Sequence, residues 1–419
     1  MSGESRDCDV LVVGVGPAGI AAACCAAESG RSVTVVDDNP ALGGQIWRGS
    51  TQGKSDKQAA KWFVRFSKTK KELISGSRVV NGDAEARVLQ AETADGALDI
   101  HYQELILATG ARELFLPFPG WTLPNVMGAG GLQVMVKSGL PIKRKRVAVA
   151  GSGPLLLAVA AYLRKHGAEI VQVAEQAPWS KLCRFGMGLA AHPKKVIQAI
   201  GLQSELLGIR YLAGCWPVAA EGDGKLERIR FRHGDKTWTE ACDYLACGFG
   251  LVPNLELPQL MGCETANDSV VIDDQQKTSV AHVYCAGETT GIGGVDLSLV
   301  EGEIAGYSAA GDQVAAQKCF RRREKARKFA HALNEAFQLR PELKSLPSED
   351  TLVCRCEDVS YGSLRKMISW REAKLQTRCG MGPCQGRVCG AAAGFLLGWS
   401  AESVRPPVSP VRVQSLIRK

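Results

Sequence analysis

The 419-residue chain is 45% hydrophobic and 22% charged, ordinary proportions for a protein with a substantial core, and at roughly 100–200 residues per domain it holds two to four domains. A net charge of +8 with no basic stretch interleaved with aromatics excludes a nucleic-acid footprint. The longest apolar stretch, Val147 to Leu163, is broken by Gly-Ser-Gly-Pro, which excludes a bilayer span, and the charged start Met1-Ser-Gly-Glu-Ser-Arg-Asp is not a secretory signal. Fifteen cysteines without such a signal point to metal or redox use rather than disulfides, in a cytoplasmic setting with at most peripheral contact with the inner face of a membrane.

The β-branched run Val10 to Val13 ends at Gly14, and small apolar residues follow at helical spacing to Gly30. Gly14, Gly16 and Gly19 fit G-x-G-x-x-G between a strand and a helix, with Pro17 and Ala18 at the helix start. The first glycine permits the turn, the second admits a pyrophosphate and the third lets the helix approach the strand. Free N–H groups at the helix start hold the phosphates. A second strand, Ser32 to Val36, ends in Asp37, placed to bind ribose hydroxyls. The bland alternative is an ordinary βαβ turn.

Arg146-Val-Ala-Val-Ala-Gly-Ser-Gly-Pro begins a second strand–turn–helix unit. Gly151 and Gly153 are present, but Leu156 stands where the third glycine belongs, which predicts an altered phosphate pocket. The strand Glu169 to Ala174 ends at Glu175, suited to a ribose, and no arginine pair follows to welcome a 2′-phosphate. NAD, another adenine nucleotide such as ATP, and a bare scaffold all remain open for this unit.

No Cys-x-x-Cys occurs in the first 250 residues. Cys24 and Cys25 read as small hydrophobes on the first helix, Cys183, Cys215, Cys242 and Cys247 are isolated, and the six histidines, His192 among them, show no triad or metal spacing. No catalytic acid or base can be named, which places substrate chemistry on another polypeptide.

After Gly311 the character changes. Arg321 to Lys328 is a charge run, read as the solvated face of a helix with partner binding as the minor alternative. Pro341 to Asp350 is a linker. Then come Cys354-Arg-Cys356 and the stretch Thr377-Arg-Cys-Gly-Met-Gly-Pro-Cys-Gln-Gly-Arg-Val-Cys389. A Cys-x-Cys pair with distant, glycine-flanked cysteines is a thiolate cage for zinc or an iron–sulfur cluster. Gly380, Gly382 and Gly386 are placed to turn backbone N–H groups toward the sulfurs.

Several segments resemble known families. Pro40-Ala-Leu-Gly-Gly-Gln-Ile-Trp47 is similar to the Gly-Gly-Gln stretch of thioredoxin-reductase-like flavoproteins. Leu105-Ile-Leu-Ala-Thr-Gly110 and Val283-Tyr-Cys-Ala-Gly-Glu288 resemble two later motifs of that superfamily, with Glu288 where Asp is usual. The resemblance implies FAD at the first glycine loop, with Gly43, Gly44, Gln45, Thr109, Gly110, Gly287 and Glu288 along the cofactor and Glu288 at the ribityl chain. The C-terminal stretch is similar to the [2Fe-2S] domain of bacterioferritin-associated ferredoxin and of anaerobic glycerol-3-phosphate dehydrogenase. That implies Cys354, Cys356, Cys384 and Cys389 as ligands and Cys379 as a non-ligand neighbour.

Phe118-Pro-Gly-Trp-Thr-Leu-Pro-Asn-Val-Met-Gly-Ala-Gly-Gly-Leu-Gln133 resembles the family of hydrogen cyanide synthase B subunits, opine oxidase A subunits and the α subunits of D-hydroxyproline and proline dehydrogenases. It implies a complex: a catalytic subunit of the D-amino-acid-oxidase type with its own FAD, a small ferredoxin-like [2Fe-2S] subunit, and FMN at a subunit interface. This chain is then part of an oxidoreductase for CH–NH donors, relaying electrons from its partner to an acceptor. The rivals are a stand-alone NAD(P)H-dependent flavin reductase and a nucleotide-holding scaffold. The expected fold is α/β: a discontinuous FAD domain at residues 1–112 and 241–312, a second nucleotide-binding-like domain at 113–240, a helical linker at 313–350, a [2Fe-2S] domain at 351–400 and a tail at 401–419.

Overall fold

The structure, a computed structural model, describes residues 4–48, 56–190, 193–400 and 404–416. The chain forms two compact units. The first is Met1–Arg112, Val252–His331 and Glu402–Lys419, and the second is Glu113–Leu251 and Ala332–Ala401.

The first unit is built on a seven-stranded sheet. Strands Glu72–Ser75, Val33–Asp37, Glu4–Val13 and Ala97–Leu107 run parallel in that order. The start of Ala97–Leu107 pairs antiparallel with Val88–Glu92, while its end, Leu105 to Leu107, pairs parallel with Val283–Cys285. Val10, Leu11, Val12 and Val13 are all buried, the signature of a parallel strand covered on both faces.

The helix Pro17–Glu28 opens with Pro17 in its first turn, where the missing N–H costs nothing. Every residue from Ala18 to Ala26 is buried, so the helix has no polar face. It lies between the sheet and the helix Val295–Ala309. Cβ atoms at Gly302 and Gly306 would collide with the carbonyl oxygens of Ala18 and Ala22. The constant offset of these pairs makes the helices parallel. At ~1.5 Å rise per residue, Val295–Ala309 begins about 9 Å ahead of its neighbour along their shared direction.

The helix Gln313–Ala336 carries the arginine run. Most of the run is solvated as expected, with Arg321, Arg322, Glu324, Lys325 and Lys328 exposed, while three of its arginines also pair with carboxylates of the first unit. Arg322 reaches Glu303 at 2.6 Å, Arg327 reaches Glu301 at 3.4 Å, and Arg323, only 5% exposed, reaches Asp274 at 2.6 Å. The C-terminal segment returns to the same unit. Val408 N donates to Val80 O at 2.9 Å, and the Arg412 N–H and guanidinium both donate to Glu92.

The second unit holds a five-stranded parallel sheet in the order Tyr211–Ala213, Glu169–Glu175, Arg146–Gly151, Tyr244–Gly248 and Val126–Gly128. An antiparallel meander of Cys215–Glu221, Arg228–His233 and Lys236–Ala241 lies beyond it. Because Tyr244–Gly248 is hydrogen-bonded between two strands of this sheet, the chain returns to the first unit at residue 252, not at 241 as the sequence suggested. Its apolar run fits either sheet, and only the pairing decides.

The cysteine-rich segment of this unit has its own core around Val353, Leu364, Trp370, Ala373 and Ala393. It comprises the strands Leu352–Cys354 and Val359–Ser360 and the helices Trp370–Thr377 and Cys389–Leu397. Trp121 Nε1 donates to Leu352 O at 2.6 Å.

Gly302→Val forces a branched side chain against the Ala18 carbonyl and should destabilise the first unit by about 1–3 kcal/mol. Gly201→Ala, in an open stretch of the helix Pro193–Glu205, should leave the melting temperature unchanged or raise it. Equal melting temperatures for Gly302→Val and the parent protein would refute the close helix contact.

Candidate functional site

At the first glycine loop each glycine has a separate physical reason. Gly14 adopts φ +106°, and a Cβ there would strike the Ala108 carbonyl. A Cβ at Gly19 would strike the Gly14 carbonyl, which fixes how closely helix meets strand. Gly16 faces open space, with nothing within 4 Å of where a Cβ would stand, leaving room for a ligand against bare backbone. Asp37 shapes this loop: Oδ2 accepts Val15 N at 2.6 Å and Oδ1 accepts Asn39 N at 2.7 Å. Burial raises its pKa, against the pull of these N–H groups. A carboxylate has about four acceptor positions, so capacity remains for ribose hydroxyls.

The Gly43-Gly44 turn is laid on the loop. Gly43 N donates to Val15 O at 2.9 Å, and a Cβ on Gly44 would sit 3.0 Å from the Gly16 Cα. Gln45 is exposed, while Trp47 is buried against Phe63 with its indole N–H unpaired. Thr109 Oγ1 donates to Asn254 O at 2.9 Å and lies 3.2 Å from Thr289 Oγ1, and Gly110 takes φ +67°. Gly287 takes φ +82°, and a Cβ there would lie 2.7 Å from the Ala18 Cβ.

Glu288, expected at the ribityl chain, also holds the loop after it. Its longer side chain folds back, so that Oε1 accepts Gly294 N at 2.8 Å and Oε2 accepts Gly293 N at 3.3 Å, capping the helix Val295–Ala309. The residue that sequence reasoning missed is Glu301, 2% exposed. It accepts Gly287 N at 3.1 Å and Thr290 Oγ1 at 2.8 Å. A glutamate inside the small-residue run Val300-Glu-Gly-Glu-Ile-Ala-Gly was the available signal.

The start of the helix Pro17–Glu28 fits the pyrophosphate of an FAD, with free N–H groups and a positive end, whereas the start of Val295–Ala309, about 9 Å away along the shared axis, already carries Glu288. The unpartnered Trp47 N–H and the open face of Gly16 lie in the same loop system.

The second glycine loop is built alike but covered. A Cβ at Gly151 would collide with the Gly248 carbonyl. Glu175 accepts Gly153 N at 2.7 Å and Ala177 N at 2.8 Å, and burial pushes its pKa up to about 7. Leu156 is buried in the core beneath the helix. Across the loop lies the chain's own segment Phe337 to Arg340. Ser152 Oγ donates to Phe337 O at 2.9 Å, Gln176 Nε2 donates to Ser152 Oγ at 2.9 Å, and Arg340 N donates to Gln176 Oε1 at 3.1 Å. Phe337 stacks edgewise on Phe185, and the Arg340 guanidinium lies over Trp216.

The cysteine segment encloses a cavity of about 340 Å³ lined by Cys354, Cys356, Cys384, Cys389, Trp121, Arg355 and Val388. The sulfurs of Cys354, Cys379 and Cys389 lie within 4.8 Å of one another, and the turns around them place Arg378, Gly380, Gln385 and Gly386 at positive φ. Gly382 has a different reason, since a Cβ there would run into the Cys356 side chain. Trp121 was not foreseen as a lining residue. It comes from Phe118-Pro-Gly-Trp, which also supplies the Leu352 contact. The glycines that follow are held by Glu113, which accepts Gly130 N at 2.7 Å and Gly131 N at 3.1 Å.

Cys24 and Cys25 are fully buried, with Cys25 pushed up to about 12 by burial, inert as read from the sequence. His192 lies outside the described residues. Among the described residues no helix is long and apolar enough to cross a membrane.

Glu175 yields a pH signature. An ordinary glutamate titrates near 4.5, whereas this buried one keeps its proton to about 7. Between those values the folded state binds more protons than the unfolded one, so stability falls as pH rises through the window, by up to about 3 kcal/mol for this group. Glu175→Gln should flatten that fall in denaturation midpoints measured from pH 4.5 to 7. An unchanged slope would show that the carboxyl is already ionised.

The pyridine nucleotide-disulphide oxidoreductase family matches residues 8–313. The hydrogen cyanide synthase subunit HcnB of Pseudomonas aeruginosa is 30% identical, over 90% of both chains. The A subunit of opine oxidase from Agrobacterium tumefaciens is also 30% identical, over 97% of this chain and 91% of its own. L-proline dehydrogenase from P. horikoshii shares the fold over 100% of this chain and 81% of its own, with a TM-score of 0.72 at 21% identity. With the family matched over residues 8–313 and two relatives at 30% identity over nine-tenths or more of this chain, this chain belongs to the pyridine nucleotide-disulphide oxidoreductase family, in the branch that holds HcnB and the A subunit of opine oxidase.

Proposed function

We propose that this chain is the electron-transferring flavin and iron–sulfur subunit of an amino-acid or imino-acid dehydrogenase, of the D-hydroxyproline, proline or opine type. The observation that carries the reading is the cavity lined by four thiols in a chain whose first glycine loop is open to a dinucleotide. Its similarity to subunits of hydrogen cyanide synthase and opine oxidase supports a multi-subunit setting. The partner would be a catalytic FAD subunit of the D-amino-acid-oxidase type, accompanied by a small ferredoxin-like [2Fe-2S] subunit, with FMN at an interface.

The residues that would hold FAD are Gly14, Gly16, Pro17, Ala18, Gly19 and Asp37 for the adenosine and pyrophosphate half. Gly43, Gly44, Gln45, Thr109, Gly110, Gly287 and Glu288 would lie along the rest, and Glu288 also caps the helix beside it. Cys354, Cys356, Cys384 and Cys389 would hold a [2Fe-2S] cluster. Bound flavin exchanges electrons in pairs or singly, and the cluster passes them one at a time. The left-handed turns at Gly380 and Gly386 would let backbone N–H groups face the ligand sulfurs and stabilise their negative charge. Zinc would satisfy the same thiols but gives an electron no station.

The NAD(P)H-reductase alternative is disfavoured by the segment over the second loop. The Phe337 and Gln338 carbonyls and the Arg340 N–H already take the hydrogen bonds of Ser152 and Gln176, where the adenosine half of a dinucleotide would lie. The scaffold alternative is disfavoured by the thiols, for which a passive subunit has no use.

The purified chain, reconstituted anaerobically with iron, sulfide and FAD, should show flavin bands over broad cluster absorption, with about two irons per chain. NADH should not bleach the flavin, and Cys384→Ala should lose the iron but keep the flavin. A colourless, iron-free protein, or rapid bleaching by NADH, would defeat the reading.

A further inference from the structure

The thiol cavity opens at the surface of its unit. Of the residues that line it, Arg355, Cys356 and Val388 are exposed, and Cys384 is half-buried. Met381 stands beside the same opening, because a Cβ on the next residue, Gly382, would run into the Cys356 side chain. Met381 is 52% exposed and Val388 44%. Single apolar residues are ordinary on a surface, but these two border one exposed sulfur.

The charge around them has one sign. Residues 351–400 carry seven Lys and Arg against three Asp and Glu, a net +4 and half of the chain's +8. Arg355, at the opening itself, makes no hydrogen bond or ion pair among the described residues. Arg387 donates to Cys384 O at 3.4 Å and to Gln385 Oε1 at 3.2 Å, which holds a second guanidinium at the same rim. Glu357, on the far side of Cys356, is already paired with Arg378 at 2.8 Å.

We propose that this rim is the docking surface for an acidic one-electron carrier protein. The inference rests on the electron-transferring reading above, since only a chain with a redox station needs such a partner. Opposite charge speeds the encounter and orients the two surfaces, and the exposed Cys356 lets the partner's own centre approach the thiols. A basic rim with two apolar side chains suits a transient contact. Permanent interfaces bury roughly 2,000 Å² or more and are largely apolar, whereas electron-transfer encounters bury less than about 1,200 Å². Met381 fits that use, because a flexible thioether adapts to more than one surface.

The test reads binding rather than turnover. The full chain, reconstituted with iron and sulfide, is titrated with an acidic plant-type ferredoxin and separately with a basic cytochrome c. The ferredoxin should bind and the cytochrome should not, and raising the salt from ~0.01 M to ~0.3 M should weaken the ferredoxin complex about tenfold. Arg355→Glu and Met381→Glu should each weaken it about tenfold at low salt, with the parent's iron content. Lys318→Glu, on an exposed residue of the first unit, makes the same change in net charge as Arg355→Glu and should bind like the parent. Met381 does not line the cavity, so its variant carries the test if Arg355→Glu sheds iron. No ferredoxin binding, equal affinity for the two probes, or parent-like affinity in Met381→Glu overturns the proposal, while the iron content leaves the cluster reading intact. A loss in Lys318→Glu as large as in Arg355→Glu also overturns it, because net charge and not this rim would then govern binding. A parent that takes no iron removes the electron-transferring reading and the proposal with it.

Discussion

The contact of the helix Pro17–Glu28 with the helix Val295–Ala309 organises the first unit. Gly302 and Gly306 bring one backbone against the Ala18 and Ala22 carbonyls of the other, an approach that a single methyl group would prevent. Because the two helices run parallel and staggered, two positive helix ends point the same way. Glu301 locks the arrangement from inside, binding the Gly287 N–H and the Thr290 hydroxyl while paired with Arg327. A buried carboxylate costs free energy unless it is this well satisfied. The same helix start is capped by Glu288.

The two glycine loops show how one architecture serves opposite ends. In both, an acid at the end of the second strand accepts N–H groups of the loop itself: Asp37 in the first and Glu175 in the second. The first loop stays open at Gly16. The second is crossed by Phe337 to Arg340, and Ser152 and Gln176 spend their hydrogen bonds on that segment. The crossing segment leads directly into the cysteine-rich part of the same unit, so the hydrogen bonds that close the loop also anchor the approach to the thiol cavity. Trp121 anchors it from the other side, through Leu352.

The cysteine cavity depends on backbone geometry as much as on sulfur. Left-handed turns at Arg378, Gly380, Gln385 and Gly386 fold the segment around the sulfurs. Trp370 packs against Gly380 and Gly386, and a Cβ at either glycine would press into its ring. The glycines are therefore needed both for their conformation and for the space they leave.

Local pattern was enough to read the strand–turn–helix units, the glycine loop with Asp37, the inert Cys24 and Cys25, and the cysteine spacing. These follow from neighbours in sequence: β-branched runs, small residues at helical spacing, and thiols flanked by glycine. What lay beyond the sequence depended on contacts between distant segments. The strand Tyr244–Gly248 could join either sheet until its partners were known. The ion pairs of the arginine run were not legible because their carboxylates, Asp274, Glu301 and Glu303, come from other elements. The closure of the second loop needed residues 152, 176 and 337–340 together in space. Spacing alone makes Cys379, Cys384 and Cys389 equivalent, and only the fold brings the Cys379 sulfur within 4.8 Å of those of Cys354 and Cys389.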